Sequence, residues 1–398
     1  MPALRQRNFE TLPPHQEIIP MKITYSIGVR FAGGGIGNIA WHAVRTLYRR
    51  GILQLLLCSS ARPIDIPPQQ QILEMGMAHR ILRRLAIYDS SRRLEYLQGD
   101  RYDVWAKNHL GESDIFHGWS NFARRSLQEA HIKGMVTVLD WPISHHVHQY
   151  QLLQQEYARW GAAFRPIPRW KQRADEEIAQ ADVIITPSDY ARNSFLTQGI
   201  PANQVISIPF GVDAQRFSPP TQRLTAPIRF LFVGQIGLRK GVQYLLDAWS
   251  RLRLPNAELW LVGRVQSSFQ PVLKRFHDLP GLHIIPYTER PEDLYQTAHV
   301  FVFPSLDEGS ALVTYEAMAA GLPLIVTHHS GSVARNGIES IEIPEGDVPA
   351  LMEAMALLAH HEDMRLEMGE RSRQRILPFT WERYGSQLIS LYQSILPA

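Results

Sequence analysis

The chain is predicted to fold as two α/β domains, each a doubly wound parallel sheet, with the two carboxyl edges facing one another across a cleft. Its 398 residues exceed what one ordinary core organises, and a hydrophobic content of 45% is enough for two. Short apolar runs rich in β-branched residues alternate with stretches long enough for helices, the pattern of parallel sheets covered on both faces. A proline-rich polar stretch, FSPPTQRLTAP at 217–227, divides the chain into halves that each open with strand, glycine loop and helix.

Residues 1–20 are polar and proline-containing and read as a loose leader. The first domain then spans 21–217. A strand at 22–31 runs into the glycine cluster Gly33 to Gly37, a helical segment ends near Arg50, and 52–58 forms a second buried strand. Further strands are expected at 114–117, 135–139, 183–186 and 205–209. After a linker at 218–227, the second domain occupies 228–377. Its strands are IRFLFVG from Ile228, AELWLVG from Ala257, LHIIPY from Leu282, VFVFPS from Val300 and LPLIVT from Leu322.

A net charge of +3, without a block of like charges, gives no argument for nucleic acid. The single cysteine, Cys58, leaves no disulfide framework and no cysteine-based metal cluster, which suits a reducing cytoplasm. Neither a secretory leader nor an apolar run of about 18 residues stands out, so a soluble or peripheral protein is expected. Segment 72–97 mixes apolar residues with Arg80, Arg83, Arg84, Arg92 and Arg93, interrupted by Asp89 and Glu95. It reads either as a basic surface for the inner face of an anionic membrane or as an ordinary surface helix.

Three motifs carry chemistry. GGGIGNIA at 33–40 has the dinucleotide-type spacing, but the second strand ends in LLLCSSARP with no carboxylate for a ribose. A nicotinamide site, a plain tight turn and a loop approaching a sugar or phosphate all remain open. VGQIGLRKG at 233–241 places Arg239 and Lys240 at a helix entry past a strand's carboxyl edge, where a forked guanidinium and a point charge suit a diphosphate. In isolation the same pair is a solvated basic patch. SLDEGSALVTYEAMAAGLP at 305–323 reads as strand end, loop and helix, with Ser310 as N-cap and Gly321 as stop. Its carboxylates Glu308 and Glu316 repel phosphates and so are suited to accept hydrogen bonds from sugar and ribose hydroxyls, while the amides of Ser310, Ala311 and Leu312 offer donors. Together these segments read as a sugar-nucleotide site. The histidines of HHVH at 145–148 are either a soluble loop or part of the acceptor side, with no matching metal-ligand set.

The segment PSLDEGSALVTYEAMAAGLP resembles the signature of the GT-B retaining glycosyltransferases of family 4, two glutamates separated by seven residues and then Ala-Met-Ala-x-Gly-x-Pro. The similarity runs from Met21 through the glycine loop, IPFGVDAQRFSP and the RKG loop, in family order. The resemblance implies a GT-B fold and a hexosyltransferase-type enzyme. Its carboxyl-terminal domain would hold a nucleotide sugar and its amino-terminal domain a glycan, lipid-linked or small-molecule acceptor. The last segment, 378–398, would be a helix crossing back to the first domain. It also implies Glu316 on the ribose, Glu308 on the donor sugar and Lys240 on the diphosphate, with Gly34 and Gly35 nearby. Gly234, Gly263, Tyr287, Gly309, Leu312 and Val313 complete the donor site. This chain departs from the family pattern in having Gln235 where many members have arginine, a loss that Arg239 can offset, and Ser310 and Ala311 where they have phenylalanine and glycine. Asp140 stands where many relatives carry a cleft histidine, with His117 a second candidate; the bland readings are a loop cap and a core histidine. No Asp-x-Asp occurs, so neither a metal nor another cofactor is expected. A non-catalytic binder of the same fold, or a nucleotide-sugar epimerase or hydrolase, is the alternative.

Overall fold

The computed structural model describes residues 20–61, 72–76, 93–162, 164, 168–222, 226–276, 278–286 and 288–396. Two parallel sheets organise it. The first contains β1 (Ile23–Phe31), β2 (Leu53–Ala61), β3 (Ile72–Glu74), β4 (Ile115–Trp119), β5 (Val136–Asp140), β6 (Val183–Thr186) and β7 (Val205–Ser207), in the order β3-β2-β1-β4-β5-β6-β7. The second contains β8 (Ile228–Val233), β9 (Ala257–Val262), β10 (Leu282–Ile285), β11 (Val300–Phe303), β12 (Leu324–Thr327) and β13 (Ser340–Ile343), in the order β10-β9-β8-β11-β12-β13. The strand order reverses between β1 and β4 in one sheet and between β8 and β11 in the other. At those points crossovers leave on opposite sides and open a crevice above the strands' carboxyl ends.

Helices cover both sheets. Among the described residues they are α1 (Ile36–Arg49), α2 (Arg93–Lys107), α3 (Arg124–Ile132), α4 (His146–Arg159), α5 (Pro168–Gln180), α6 (Asp189–Leu196), α7 (Val242–Arg251), α8 (Gln270–Leu273), α9 (Pro291–Thr297), α10 (Leu312–Ala319), α11 (Val348–His360), α12 (Glu362–Ile376) and α13 (Trp381–Ile395). The central strands are buried throughout, β4, β6, β11 and β12 without exception, because apolar side chains meet helices on both faces. Thr380 caps α13 by accepting from the Arg383 amide, and the helix lies along α1, where Trp381 stacks on His42 at 3.9 Å. Burial and the nearby Arg45 charge push the His42 imidazole down to about 3, against Asp213.

Two edge strands, β3 and β13, escape the sequence reading. The part of segment 72–97 read as a surface helix begins instead as β3, paired in parallel with Leu56, Leu57 and Cys58. Arg80, Arg83, Arg84 and Arg92 lie outside the described residues, as does the leader up to residue 19. Among the described residues, no helix is long and apolar enough to cross a membrane.

Candidate functional site

The loops that follow β8 and β11 are brought together at the switch point of the second sheet. Gly241 takes φ 70°, and a side chain there would overlap the Pro304 carbonyl oxygen, so glycine alone lets the loops touch. The Leu306 amide then donates to the Arg239 carbonyl at 2.9 Å. Through this seam, Arg239 and Lys240 of one loop reach Glu308 of the other.

Arg239 Nη1 donates to the Asp307 carbonyl at 2.8 Å and to Glu308 Oε1 at 2.6 Å, and Lys240 Nζ bonds the same carboxylate oxygen. The Lys240 and Glu308 side chains are each 13% exposed, so the group is shielded without being sealed. Burial depresses both cations; beside Lys240 the Arg239 charge adds to the effect, and Asp307 opposes it. The sequence reading kept cations and carboxylates on separate duties, whereas here they pair with each other. Glu316, partly exposed on α10, accepts 2.7 Å from the Tyr295 hydroxyl of α9. Burial pushes its carboxyl up to about 7, against the Tyr295 hydrogen bond and the Arg216 charge.

The other candidates stand on loops and helix starts of both domains. Gly234 and Gly263 lie side by side past β8 and β9, and Gln235 is exposed beside them. Gly34 and Gly35 form an exposed turn at the switch point of the first sheet, with open space where a side chain would stand. Leu312 and Val313 occupy the first turn of α10, partly buried. Tyr287 lies outside the described residues.

Other expectations need correction. Ser310 does not cap α10: Ala311 holds the N-cap position, and the Ser310 hydroxyl donates to the Gly331 carbonyl at 2.9 Å. The Ala311 amide is not free for a ligand either, since it donates to the Ser330 carbonyl at 3.1 Å. His117 and Asp140 are 0% and 2% exposed. His117 Nε2 lies 3.2 Å from Asp140, its Nδ1 lies 2.6 Å from the Tyr392 hydroxyl of α13, and its ring stacks on Tyr25. Both are buried core groups bonded to protein partners in this arrangement. The HHVH histidines disperse: His145 caps α4, His146 pairs with Asp175 at 2.8 Å, and His148 lies 3.2 Å from the Tyr190 hydroxyl. Among the described residues no group of His, Cys, Asp and Glu gathers as a metal site.

The sequence reading missed a second set of residues, those joining the domains. Asp307, fully buried, accepts from Ser144, from Gln149 Nε2 at 2.6 Å and from the Tyr190 hydroxyl at 2.8 Å. The Ser188 hydroxyl donates to the Gly309 carbonyl, and Gly309 packs so closely on Pro142 that a side chain would overlap the Pro142 carbonyl oxygen. Glu156 of α4 accepts from Gln243 and Tyr244 of α7 at 2.9 and 2.7 Å. The partners stand 87 to 163 positions apart, so no local pattern links them.

The arrangement defines a class: two Rossmann-like domains closed on a cleft, the GT-B architecture. Residues 33–216 match Glycosyltransferase Family 4 and residues 227–361 match Glycosyl transferases group 1, and the chain belongs to this family 4, group 1 glycosyltransferase family. It is 27% identical over 257 residues to a D-inositol 3-phosphate glycosyltransferase of Corynebacterium urealyticum, covering 57% of this chain and 60% of that relative. It is also 26% identical over 305 residues to an MMP alpha-(1->4)-mannosyltransferase of Mycolicibacterium hassiacum, covering 72% of each. The match thus spans less than two thirds of the inositol-phosphate relative's length. Among solved structures, sucrose-phosphate synthase from Thermosynechococcus elongatus superposes with a TM-score of 0.68 at 19% identity, over 94% of this chain and 99% of that one. HepE of Anabaena, in complex with UDP, gives 0.66 at 13% identity, over 94% and 100%. These likenesses establish the fold.

Proposed function

We propose that the protein moves a sugar from a nucleoside diphosphate to a hydroxyl acceptor, with retention at the anomeric carbon and without a metal. One observation carries this reading: at the switch point of the second sheet, Arg239 and Lys240 meet Glu308, with Glu316 eight residues further along the chain on α10. The names of the curated relatives and the UDP and UDP-glucose complexes of HepE support a nucleotide-sugar donor. The acceptor is a glycan, a lipid-linked sugar or a small molecule, presented from the first domain.

In this reading the diphosphate takes Arg239 and Lys240 from Glu308, and the freed carboxylate accepts from hydroxyls of the donor sugar. The exchange is balanced, since each partner keeps an opposite charge or a donor. Glu316 accepts from the ribose, and Tyr295 holds it in place. The bond from the anomeric carbon to the β-phosphate oxygen breaks as the acceptor oxygen attacks on the same face. The acceptor's proton passes to the departing phosphate oxygen. Charge growing on that phosphate is met by the two cations, a contribution of about 10² to 10³ in rate for one well-placed donor. Positive side chains thereby fill the role a divalent ion takes elsewhere.

A panel of UDP-, GDP- and ADP-sugars tests the reading by thermal shift and by nucleoside diphosphate release with glycan and lipid-linked acceptors. A bound ligand at about 100 times its dissociation constant adds roughly 2.7 kcal/mol of stability. Stabilisation with acceptor-dependent release is expected. Binding without release favours a non-catalytic binder of the same fold, and release without transfer favours a hydrolase.

A further inference from the structure

We infer that Asp307 is a positioning residue, a buried carboxylate through which closure of the first domain sets Glu308 in place; the inference rests on the donor-site reading above. Residues 307–309 form one strip of the second domain that the first domain grips, apart from the Glu156 contact with Gln243 and Tyr244. On one side, the two oxygens of Asp307 receive Ser144, Gln149 and Tyr190, three uncharged donors from the segment preceding α4, from α4 and from α6. On the other, Ser188 bonds the Gly309 carbonyl while Pro142 lies against the Gly309 backbone. Glu308 sits between these two holds, and its own amide donates to the His329 carbonyl at 3.0 Å. Its side chain therefore points at Arg239 and Lys240 from a backbone fixed by both domains.

The chemistry of the hold favours reversibility. A carboxylate with no hydrogen-bonded cation gains from neutral donors only while it is buried, and water offers it equivalent donors when the domains part. The cations Arg239 and Lys240 are bonded to Glu308, and Arg239 also reaches the Asp307 carbonyl. Tyr190 is shared: its hydroxyl donates to Asp307 and lies 3.2 Å from His148 Nε2, and its ring stacks on His329 at 4.6 Å. The acceptor-side domain thus reports its docking to the donor-side carboxylate through the neighbouring residue in the chain. The cations and the ribose-binding carboxylate of the donor-site reading, Arg239, Lys240 and Glu316, all belong to the second domain, so nucleotide binding depends less on the hold than alignment of the sugar does.

The test uses the full chain and begins without ligand. Small-angle scattering and amide exchange are measured for the wild type, Asp307→Ala, Tyr190→Phe and the double variant. The wild type is expected to match the closed arrangement. Asp307→Ala should expand the radius of gyration and speed exchange at the Glu308 and Gly309 amides at least tenfold. Tyr190→Phe should do so less, and should add nothing in the Asp307→Ala background. Asp307→Asn, which keeps the shape and allows the hydroxyl partners to turn, should recover part of the closure. Unchanged scattering and exchange in the variants, or fully additive effects, overturn the inference. In a second arm, with the sugar nucleotide found by the panel, Asp307→Ala should lower kcat ten- to a hundredfold and leave the dissociation constant of the corresponding nucleoside diphosphate within twofold. Equal losses in binding and in kcat overturn the positioning role. If no nucleotide sugar turns over, the glycosyl-transfer reading fails, and the first arm still decides the hold.

Discussion

Replacing Glu316 with glutamine should make the protein more stable and less able to bind its donor, two effects of opposite sign from one carboxylate. Burial raises this group from its ordinary 4.5 to about 7 in the folded chain. The native state therefore keeps a proton that the unfolded chain releases near 4.5, so stability is lost as pH rises between those values and is level above about 7. At about 1.4 kcal/mol per pH unit, the full rise corresponds to no more than about 3.5 kcal/mol, reduced by the solvent contact Glu316 retains. Glu316→Gln keeps the Tyr295 hydrogen bond and abolishes the titration. Urea unfolding at pH 5.5 and 8.5 should show the wild type less stable at the higher pH, with the glutamine variant level by comparison. Sugar-nucleotide affinity should move the other way, because ribose hydroxyls donate best to a carboxylate. Wild-type affinity should weaken by up to about tenfold per unit below pH 7, and the glutamine variant should bind weakly at every pH, by about 1.5–3 kcal/mol. Parallel pH profiles of stability in the two proteins would refute the electrostatic reasoning. Unaltered affinity in the variant would refute the ribose role.

Three further outcomes follow from the same geometry. Lys240→Ala should reduce transfer by about 10² to 10³, measured as nucleoside diphosphate release, and undiminished turnover would count against its place on the diphosphate. Gly309→Ala puts a methyl group into the Pro142 carbonyl, so it should hold the domains apart, expand the scattering profile and suppress transfer while nucleotide binding persists. His117→Ala should cost roughly 2–4 kcal/mol in denaturant unfolding, through a cavity and an unpaired Asp140, with turnover per folded molecule preserved; a kinetic loss beyond the folding loss would return His117 to the reaction.

Much of the fold is written locally. The runs at 183–186 and 300–303 need no partner to be read as buried strands, because they are apolar on both faces. The short edge strands β3 and β13 were missed because exposed residues such as Glu74 and Glu342 break that signature. The placement of Arg239, Lys240 and Glu308 was legible because the loop past a strand's carboxyl edge fixes where such side chains stand, and Glu316 followed from the helix after it. Their mutual pairing was not, since it depends on how β8 and β11 lie together. Ser310 looked like a cap by type, yet Gly331 competes for its hydroxyl from 21 positions away. Asp307 and Tyr190 gave no signal, because a carboxylate beside a glutamate reads as solvated until the opposite domain covers it.

The pairing of His117 with Tyr392 spans 275 residues, and it bears on how the chain is made. The first domain's core includes Tyr384, Leu388 and Tyr392 from α13, and Gly385 lies against Thr46 of α1. Translation releases that helix after the entire second domain. Until then the first domain lacks the cover of α13 on one flank, and His117 keeps Asp140 but has no Tyr392 for its Nδ1. The first domain, though made earlier, completes its core only once that last helix is available.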